Sequence, residues 1–552
     1  MLVDLIFELK KSIKKSLEAC QRLLEVRFEI CQISIEFPER KIYGELSTNA
    51  ALVFSKKFSL GPLKLAGFIL KNFCRPEYIE KIEIASPGFI NFFLNKDFYI
   101  KVLLEINNNP ENYGRMPKKN KRVLVEFVSA NPTGPMHIGN ARLGALGDSL
   151  SEVLKFAGFE VYKEFYVNDA GNQIQKFADS LAARYLQIYD SKIELPEDGY
   201  HGDDIKKLAN NFAGIHGDSF LSSDKKILKE NILDYALPKN INDMKINLLN
   251  YKIEYDNWFH ESSLYNSGEV NSVLSRLREM GVTYVQDDAV WFRATEFGAQ
   301  KDEVLIRSNG IPTYFAADIA YHVNKFLVRK FDICVDFLGA DHQGHIPRMH
   351  AAMKCFGIDS SRLIFVIVQL VRLVKDGKVV VMSKRSGHVE TLKDFIEQIN
   401  VDCSRFIFNM QDANSAMDFD IDLAVKNDSN NPSYYVKYAN ARIQSILKQF
   451  NQVPEIKLLK LELLDSPIER ELIFELSKLP YIIQEVPASM DSTKIARYAV
   501  NLASIFHRFY NTQKVSSDDL DLSNARHFLC LQVSRVIKII LNILKIDTPD
   551  YM

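Results

Sequence analysis

The apolar positions change rhythm twice along the chain. In MLVDLIFELKKSIKKSLEAC (1–20) they recur at helical spacing with lysines between them, which predicts an amphipathic helix. IEIASPGFINFFL (82–94) is strand-like and broken by Pro87 and Gly88. The polar, basic stretch GRMPKKNKR (114–122) then closes a first α+β unit, residues 1–114.

After this connector, RVLVEFV (122–128) is almost continuously apolar, as a strand buried on both faces must be. Residues 138–157 return to helical spacing and stop at Gly158, and VYKEFYV (161–167) is strand-like again. Strand, loop, helix, strand makes a βαβ unit, hence a parallel sheet with a right-handed crossover. FDICVDFLGAD (331–341) and RLIFVIVQLVRL (362–373) supply further buried strands. Residues 185–250 are polar, loop-rich and weakly periodic, and are expected to be an insertion in this second unit, residues 115–430. From 431 to 552 the pattern is helical, with repeats of three and four in TKIARYAVNLASIFHRFYN (493–511) and ARHFLCLQVSRVIKIILNILKI (525–546). The expected architecture is therefore an α/β unit on a Rossmann-type parallel sheet, between an α+β N-terminal unit and an all-α C-terminal bundle.

At 552 residues the chain needs more than one core. A net charge of -1 argues against a chain-wide nucleic-acid glue, although 69 basic residues leave room for local basic surfaces. The seven cysteines include no CxxC pair, which fits a reducing compartment without a disulfide framework or structural metal. The N-terminus lacks the apolar block of a signal peptide, and no apolar run approaches the roughly 20 residues of a membrane span. A cytoplasmic protein is expected.

The chemistry concentrates in VSANPTGPMHIGNARLG (128–144). A strand that enters a helix through a glycine-containing loop is a place to receive phosphate, because the helix start offers unpaired N–H groups and partial positive charge. Pro132 and Pro135 stiffen the loop, Gly134 and Gly139 admit a close ligand, and His137 can donate to a phosphate oxygen. Further along, VVVMSKRSG (379–387) places Ser383 and Lys384 in a basic loop bracketed by Gly377 and Gly387. In IPTYFAADIAYH (311–322), Tyr314 and Asp318 share one helix face.

These segments resemble the signatures of class I aminoacyl-tRNA synthetases. The stretch Ala130, Asn131, Pro132, Thr133, Gly134, Pro135, Met136, His137, Ile138, Gly139, Asn140 is similar to the HIGH motif in its wider context, and VVVMSKRSG is similar to KMSKS. Together with YVNDAGNQI (166–174), YYVKYANARI (434–443), STNAALVFSK (47–56) and ASPGFINFFL (85–94), they resemble the bacterial-type arginyl-tRNA synthetase family from end to end. Two positions depart from it. Asn140 stands where the family has histidine, and Val381 stands where it has the first lysine of KMSKS.

The resemblance implies ATP-dependent activation of L-arginine and its transfer to tRNA(Arg), with Mg²⁺ accompanying ATP. It assigns His137, Asn140 and Lys384 to catalysis, and Pro135, His137, Gly139, Asn140, Met382, Ser383 and Lys384 to ATP. It assigns Glu261, Tyr314 and Asp318 to the guanidinium, and Glu126 and Asn131, with His342 or Gln343 nearby, to the α-amino end. Tyr438, Asn440 and Arg442 are expected to meet anticodon bases, and the N-terminal unit the tRNA elbow. A monomer is expected. The rival readings are a synthetase for another amino acid and a non-catalytic RNA-binding relative.

Overall fold

The computed structural model describes residues 1–380, 391–448 and 455–549. In the N-terminal unit the helix Leu2–Leu23 buries Leu2, Leu5, Ile6, Leu9, Ile13 and Leu17 on one stripe. The helical spacing read from the sequence produces that stripe. Three antiparallel strands, β1 (Leu46–Thr48), β2 (Ile79–Ala85) and β3 (Phe89–Leu94), pair in the order β1-β3-β2. The run at 82–94 is thus a hairpin and not one strand, with Pro87 and Gly88 at its turn.

The second unit is built on five parallel strands: β4 (Arg122–Glu126), β5 (Glu160–Val167) and β6 (Asn257–His260), joined later in the chain by the strands Ile333–Gly339 and Leu363–Val368. Between these two groups lies a small antiparallel sheet of β7 (Thr283–Gln286), β8 (Ala289–Phe292) and β9 (Glu303–Ile306), which the sequence did not announce. With Ile333–Gly339 as β10 and Leu363–Val368 as β11, the order of the large sheet is β11-β10-β4-β5-β6. The strand order reverses between β4 and β10, so the crevice at their C-terminal ends is where such a sheet receives ligands. The apolar run 362–373 is split in two. Its second part, β12 (Val371–Lys375), leaves the large sheet and pairs with β13 (Lys378–Val380) and β14 (Met417–Asp420).

The signature helix, Ile138–Phe156, packs against the large sheet. Gly147 permits this, since a Cβ there would lie 2.4 Å from the Phe127 ring. The segment expected to be loop-rich is mostly helical. Asp203–His216 and Lys225–Asn250, together with Asn172–Gln187, enclose a separate small core around Phe177, Leu181, Tyr185, Phe212, Leu228 and Ile232.

The C-terminal region is a bundle of the helices Pro432–Lys448, Pro467–Ser477, Leu479–Ser489, Thr493–Thr512 and Leu520–Ile543. The N-terminal unit leans on it through the Tyr113 hydroxyl, which donates to Leu476 O (3.2 Å), and Arg535, which donates to Asn107 Oδ1 (2.8 Å). Among the described residues no helix is long and apolar enough to cross a membrane.

Candidate active site

The loop after β4 begins under strain. Val128 and Ser129 have φ of 71° and 41°, a region a β-branched residue rarely enters. Ser129 is held there twice, because its hydroxyl donates to Glu126 Oε1 (3.0 Å) and accepts from Tyr166 N–H (3.1 Å). Further on, Asn240 Nδ2 donates to Pro132 O at 2.8 Å. Pro132, Thr133, Met136 and Ile138 are buried, Ala130, Gly134 and Gly139 are half-buried, and Asn131, Pro135 and His137 are exposed.

At the helix start His137 and Asn140 cap reciprocally. His137 Nδ1 accepts from Gly139 N–H (3.0 Å), and Asn140 Oδ1 accepts from His137 N–H (2.9 Å). This explains the asparagine. Its oxygen closes the cap, and only its Nδ2 remains as a donor. Because Nδ1 accepts, the proton of neutral His137 sits on Nε2. Desolvation lowers the His137 pKa and favours that neutral form.

Met382, Ser383 and Lys384 lie outside the described residues. On the near side of that stretch β13 pairs with β12. On the far side Leu392 N–H donates to Met136 O of the signature loop at 2.7 Å.

Across the crevice, the pocket helix Tyr314–Val323 carries Tyr314 and Asp318 one turn apart. The Tyr314 hydroxyl accepts from the N–H groups of Asn172 and Gln173 (3.0 and 3.3 Å). Gly171 makes room for this ring, with φ +81° and a virtual Cβ 2.9 Å from it. Glu261 opens the helix Glu261–Asn266 and is 2% exposed. With its amide turned so that both ends are satisfied, Asn168 donates to Glu261 Oε2 (3.0 Å) and lies 3.3 Å from the side chain of Asn131. Glu261 and the Tyr166 hydroxyl are buried side by side, and neither Glu261 Oε1 nor the hydroxyl has any further hydrogen-bond partner among the described residues. Burial first, and then the negative charge of Asp318, push the Glu261 carboxyl up to about 8. Two carboxyls close enough that the charge of Asp318 raises Glu261, beside a buried phenol, make a site for a cation with several donors.

Glu126 is placed differently from the expectation. Its Oε1 is taken by Ser129, and its Oε2 accepts from Tyr321 Oη (2.8 Å) and Lys325 Nζ (2.7 Å). Lys325 also reaches Asp336 (2.9 Å), which His322 approaches at 2.8 Å. Burial alone would raise Asp336, but Lys325 and His322 outweigh it and hold the carboxyl at about 2. Glu126 therefore belongs to a buried ionic network, with both carboxylate oxygens engaged by protein donors. His342 and Gln343 are exposed on the turn Ala340–His345 that follows β10. The residue of this turn that meets Asp318 is His345, whose Nε2 lies 3.3 Å from Asp318 Oδ2. Neither His345 nor Tyr166 was singled out from the sequence, although Tyr166 opens YVNDAGNQI, one of the stretches that carried the resemblance.

On the bundle, Arg442 donates to the Tyr438 hydroxyl (2.8 Å) and lies over the rings of Tyr438 and Tyr510, each 4.7 Å away. Tyr434 stacks on Tyr438, with ring centroids 5.9 Å apart and an interplanar angle of 11°. Tyr434, Tyr438 and Arg442 are partly exposed and Tyr510 is exposed, a surface suited to stacking unpaired bases. Asn440 departs from the expectation. It is 0% exposed and accepts from the Ser534 hydroxyl (2.8 Å), so it braces two bundle helices and faces no solvent.

Known families match the same three regions. A class I tRNA synthetase (R) catalytic domain matches residues 102–427, an arginyl-tRNA synthetase N-terminal domain 8–94, and a DALR anticodon-binding domain 436–552. An arginine–tRNA ligase of Caldanaerobacter subterraneus subsp. tengcongensis is 46% identical over 552 residues, covering 99% of this chain and 98% of its own. One of Acetivibrio thermocellus is 46% identical over 534 residues, covering 95% of each chain. The solved arginyl-tRNA synthetase of Thermus thermophilus shares the fold, with a TM-score of 0.78 at 18% identity, over 99% of this chain and 100% of that one. With matches running from the N-terminal hairpin through the crevice to the bundle, the chain belongs to the arginyl-tRNA synthetase family of class I.

Proposed function

We infer that the protein is an arginine–tRNA ligase that converts ATP, L-arginine and tRNA(Arg) into arginyl-tRNA(Arg), AMP and pyrophosphate. The observation that carries this reading is the pair Glu261 and Asp318, two carboxyls close enough that the charge of one raises the other, with the buried Tyr166 hydroxyl beside them. A guanidinium is a planar five-donor cation, and such a pocket answers it. Asn131, near Glu261 by way of Asn168, is the residue for the α-amino end, with Gln343 of the turn Ala340–His345.

In the first step an oxygen of the arginine carboxylate attacks the α-phosphorus, and the bond to the bridging oxygen of pyrophosphate breaks. The protein contributes position and charge. The start of the signature helix and the Nε2–H of His137 receive the phosphate oxygens, Lys384 meets the departing pyrophosphate, and Mg²⁺ enters with the ATP phosphates. In the second step a hydroxyl of the tRNA 3′ end attacks the adenylate carbonyl and AMP leaves. Tyr438 and Arg442 offer the stacking surface for the anticodon. The protein acts as a cytoplasmic monomer.

The test is aminoacylation of total tRNA with each labelled amino acid in turn. Arginine alone should be esterified. Esterification of another amino acid instead would assign a different specificity, and no esterification at all would leave an RNA-binding relative without catalysis.

A further inference from the structure

His345 and Arg348 stand behind the guanidinium pocket in an arrangement that fixes a proton. His345 Nε2 lies 3.3 Å from Asp318 Oδ2. The other ring nitrogen, Nδ1, is 2.9 Å from Arg348 Nε, three residues on in the helix Ile346–Cys355. An arginine Nε always carries its hydrogen, so Nδ1 must accept. The single proton of the neutral ring is then on Nε2, the ring nitrogen on the Asp318 side. Arg348 is itself anchored, with Nη1 donating to Glu303 Oε2 of β9 (3.1 Å) and its guanidinium 5.4 Å from the Phe315 ring centroid. Phe315 also meets the His345 ring edge-on, at 6.0 Å and 89°. A chain Glu303–Arg348–His345–Asp318 therefore runs from the small sheet to the pocket.

We propose that His345 and Arg348 are positioning residues for arginine recognition: Arg348 keeps His345 in its neutral Nε2–H form, and His345 steers Asp318 without competing for its charge. The proposal rests on the reading of Asp318 as a guanidinium ligand. A contact of 3.3 Å is long for a hydrogen bond, so the influence of His345 on Asp318 is chiefly electrostatic. An imidazolium there would be a second cation beside the carboxylate that the substrate cation needs. The charges facing His345 are Asp318 from the pocket helix, with Glu261 behind it, Arg348 from the following helix, with Glu303 behind it, and Asp341 with His342 on its own turn. The Asp318 carboxylate is the negative charge beside the ring that would draw a second proton to it. Arg348 blocks it, because protonated Nδ1 would point its hydrogen at the Arg348 N–H.

The test is arginylation with tRNA present, reading KM for arginine and for ATP separately. Arg348→Met keeps an apolar stem on Phe315 and removes the block. Its arginine KM, as a ratio to wild type at each pH, should be near unity at about pH 8.5 and rise to about tenfold at about pH 6, the range in which an unhindered imidazole gains its proton. Its KM for ATP should not move. The double variant Arg348→Met/His345→Gln, with a neutral amide in place of the ring, should lose the pH dependence. A ratio that stays flat with pH, or a double variant that keeps the dependence, overturns the proposal. Asp318→Asn in the same assay separates the two ideas. If it leaves the arginine KM unchanged, the guanidinium reading itself has failed; if it raises KM while the Arg348→Met ratio is flat, only the positioning role falls. Should Arg348→Met not fold, nitrogen-15 shifts of labelled histidine in the wild type give the answer, His345 being identified by its loss in His345→Gln. A neutral ring with Nδ1 unprotonated down to about pH 6 supports the proposal, and a ring protonated on both nitrogens at neutral pH overturns it.

Discussion

Arg405 and Asp148 meet at 2.6 Å with neither side chain exposed to solvent. Asp148 lies in the signature helix, and its second oxygen accepts from Lys163 of β5 at 3.0 Å. Arg405 donates as well to Leu544 O, at the end of the last bundle helix, and to Tyr251 O. One buried guanidinium thus ties the bundle to the helix that starts at His137. Burial would raise the Asp148 carboxyl, but Arg405 and Lys163 outweigh it and hold it below the usual carboxylate range. Removing one partner of such a pair leaves the other charge uncompensated, at a cost of about 3–5 kcal/mol. Arg405→Met should lower stability to denaturant by that amount. The ion pair's contribution is present above the ordinary carboxylate range and is lost as pH falls through the depressed native value, so the wild type should lose its advantage over Arg405→Met in acid. Equal stability of the two at neutral pH would show that the pair contributes nothing.

His137→Ala removes the Nε2–H donor proposed to receive a phosphate oxygen. The loss of one such preorganised donor slows the chemical step by roughly 10²–10³. The arginine KM should change little, because the arginine pocket lies across the crevice. Asn140→Ala attacks the same helix start differently. It deletes the acceptor for His137 N–H, so about 1 kcal/mol of stability should go with the cap. Asn140→His should be tolerated, since an imidazole nitrogen can also accept there. ATP–pyrophosphate exchange, measured alongside denaturation, separates the two effects.

What the sequence made legible, and what it did not, follows from how far apart the interacting residues lie. Strand β4 and the signature helix were readable because a strand covered on both faces is written as a continuous apolar run, and the cap lies within four residues. Tyr314 and Asp318 were readable because one helical turn sets their spacing. Glu126 was misplaced because its partner Lys325 lies 199 residues away, and nothing near Glu126 records that a buried lysine will saturate it. Asn440 was misplaced for the same reason, since Ser534 is 94 residues distant. The insertion read as loops because each of its helices buries few residues, only Ile205, Leu208, Ala209 and Phe212 in Asp203–His216, against a core of its own.

Glu261 predicts a pH dependence. With its carboxyl at about 8, raised by burial and then by Asp318, most of the free protein carries it neutral at pH 7. A guanidinium needs the carboxylate, and kcat/KM reports the ionisation of the free enzyme. The kcat/KM for arginine should therefore rise as pH increases from about 7 and level off above about 8, and Glu261→Gln should be flat across that window. Stability runs the other way. A carboxyl raised above its unfolded value contributes stability at low pH that is lost as pH climbs through about 8, so Glu261→Gln should gain on the wild type between about pH 5 and pH 8. A wild-type profile for arginine with no inflection near pH 8, against a normal profile for ATP, would remove Glu261 from the pocket's chemistry.

Burial orders the effects of the two pocket carboxyls. The Asp318 side chain is 32% exposed, whereas Glu261 as a residue is 2% exposed. Breaking a charge pair costs least where water can replace the lost partner, so Asp318→Asn belongs at the low end of the range for recognition pairs, about 2–3 kcal/mol. That corresponds to roughly a 30- to 150-fold loss in kcat/KM for arginine. Glu261→Gln should cost more, about 3–5 kcal/mol, once assayed above about pH 8 where the wild-type carboxyl is charged. Citrulline is nearly isosteric with arginine but neutral, and would leave both carboxyls uncompensated, so the wild type should reject it strongly. Lysine should fail too, because an ammonium cannot satisfy two carboxyls placed for a planar donor set. The measurement is arginylation with tRNA present, wild type against both variants, with citrulline and lysine as competitors. Full efficiency in both variants, or citrulline competing as well as arginine, would mean that these carboxyls do not read the guanidinium.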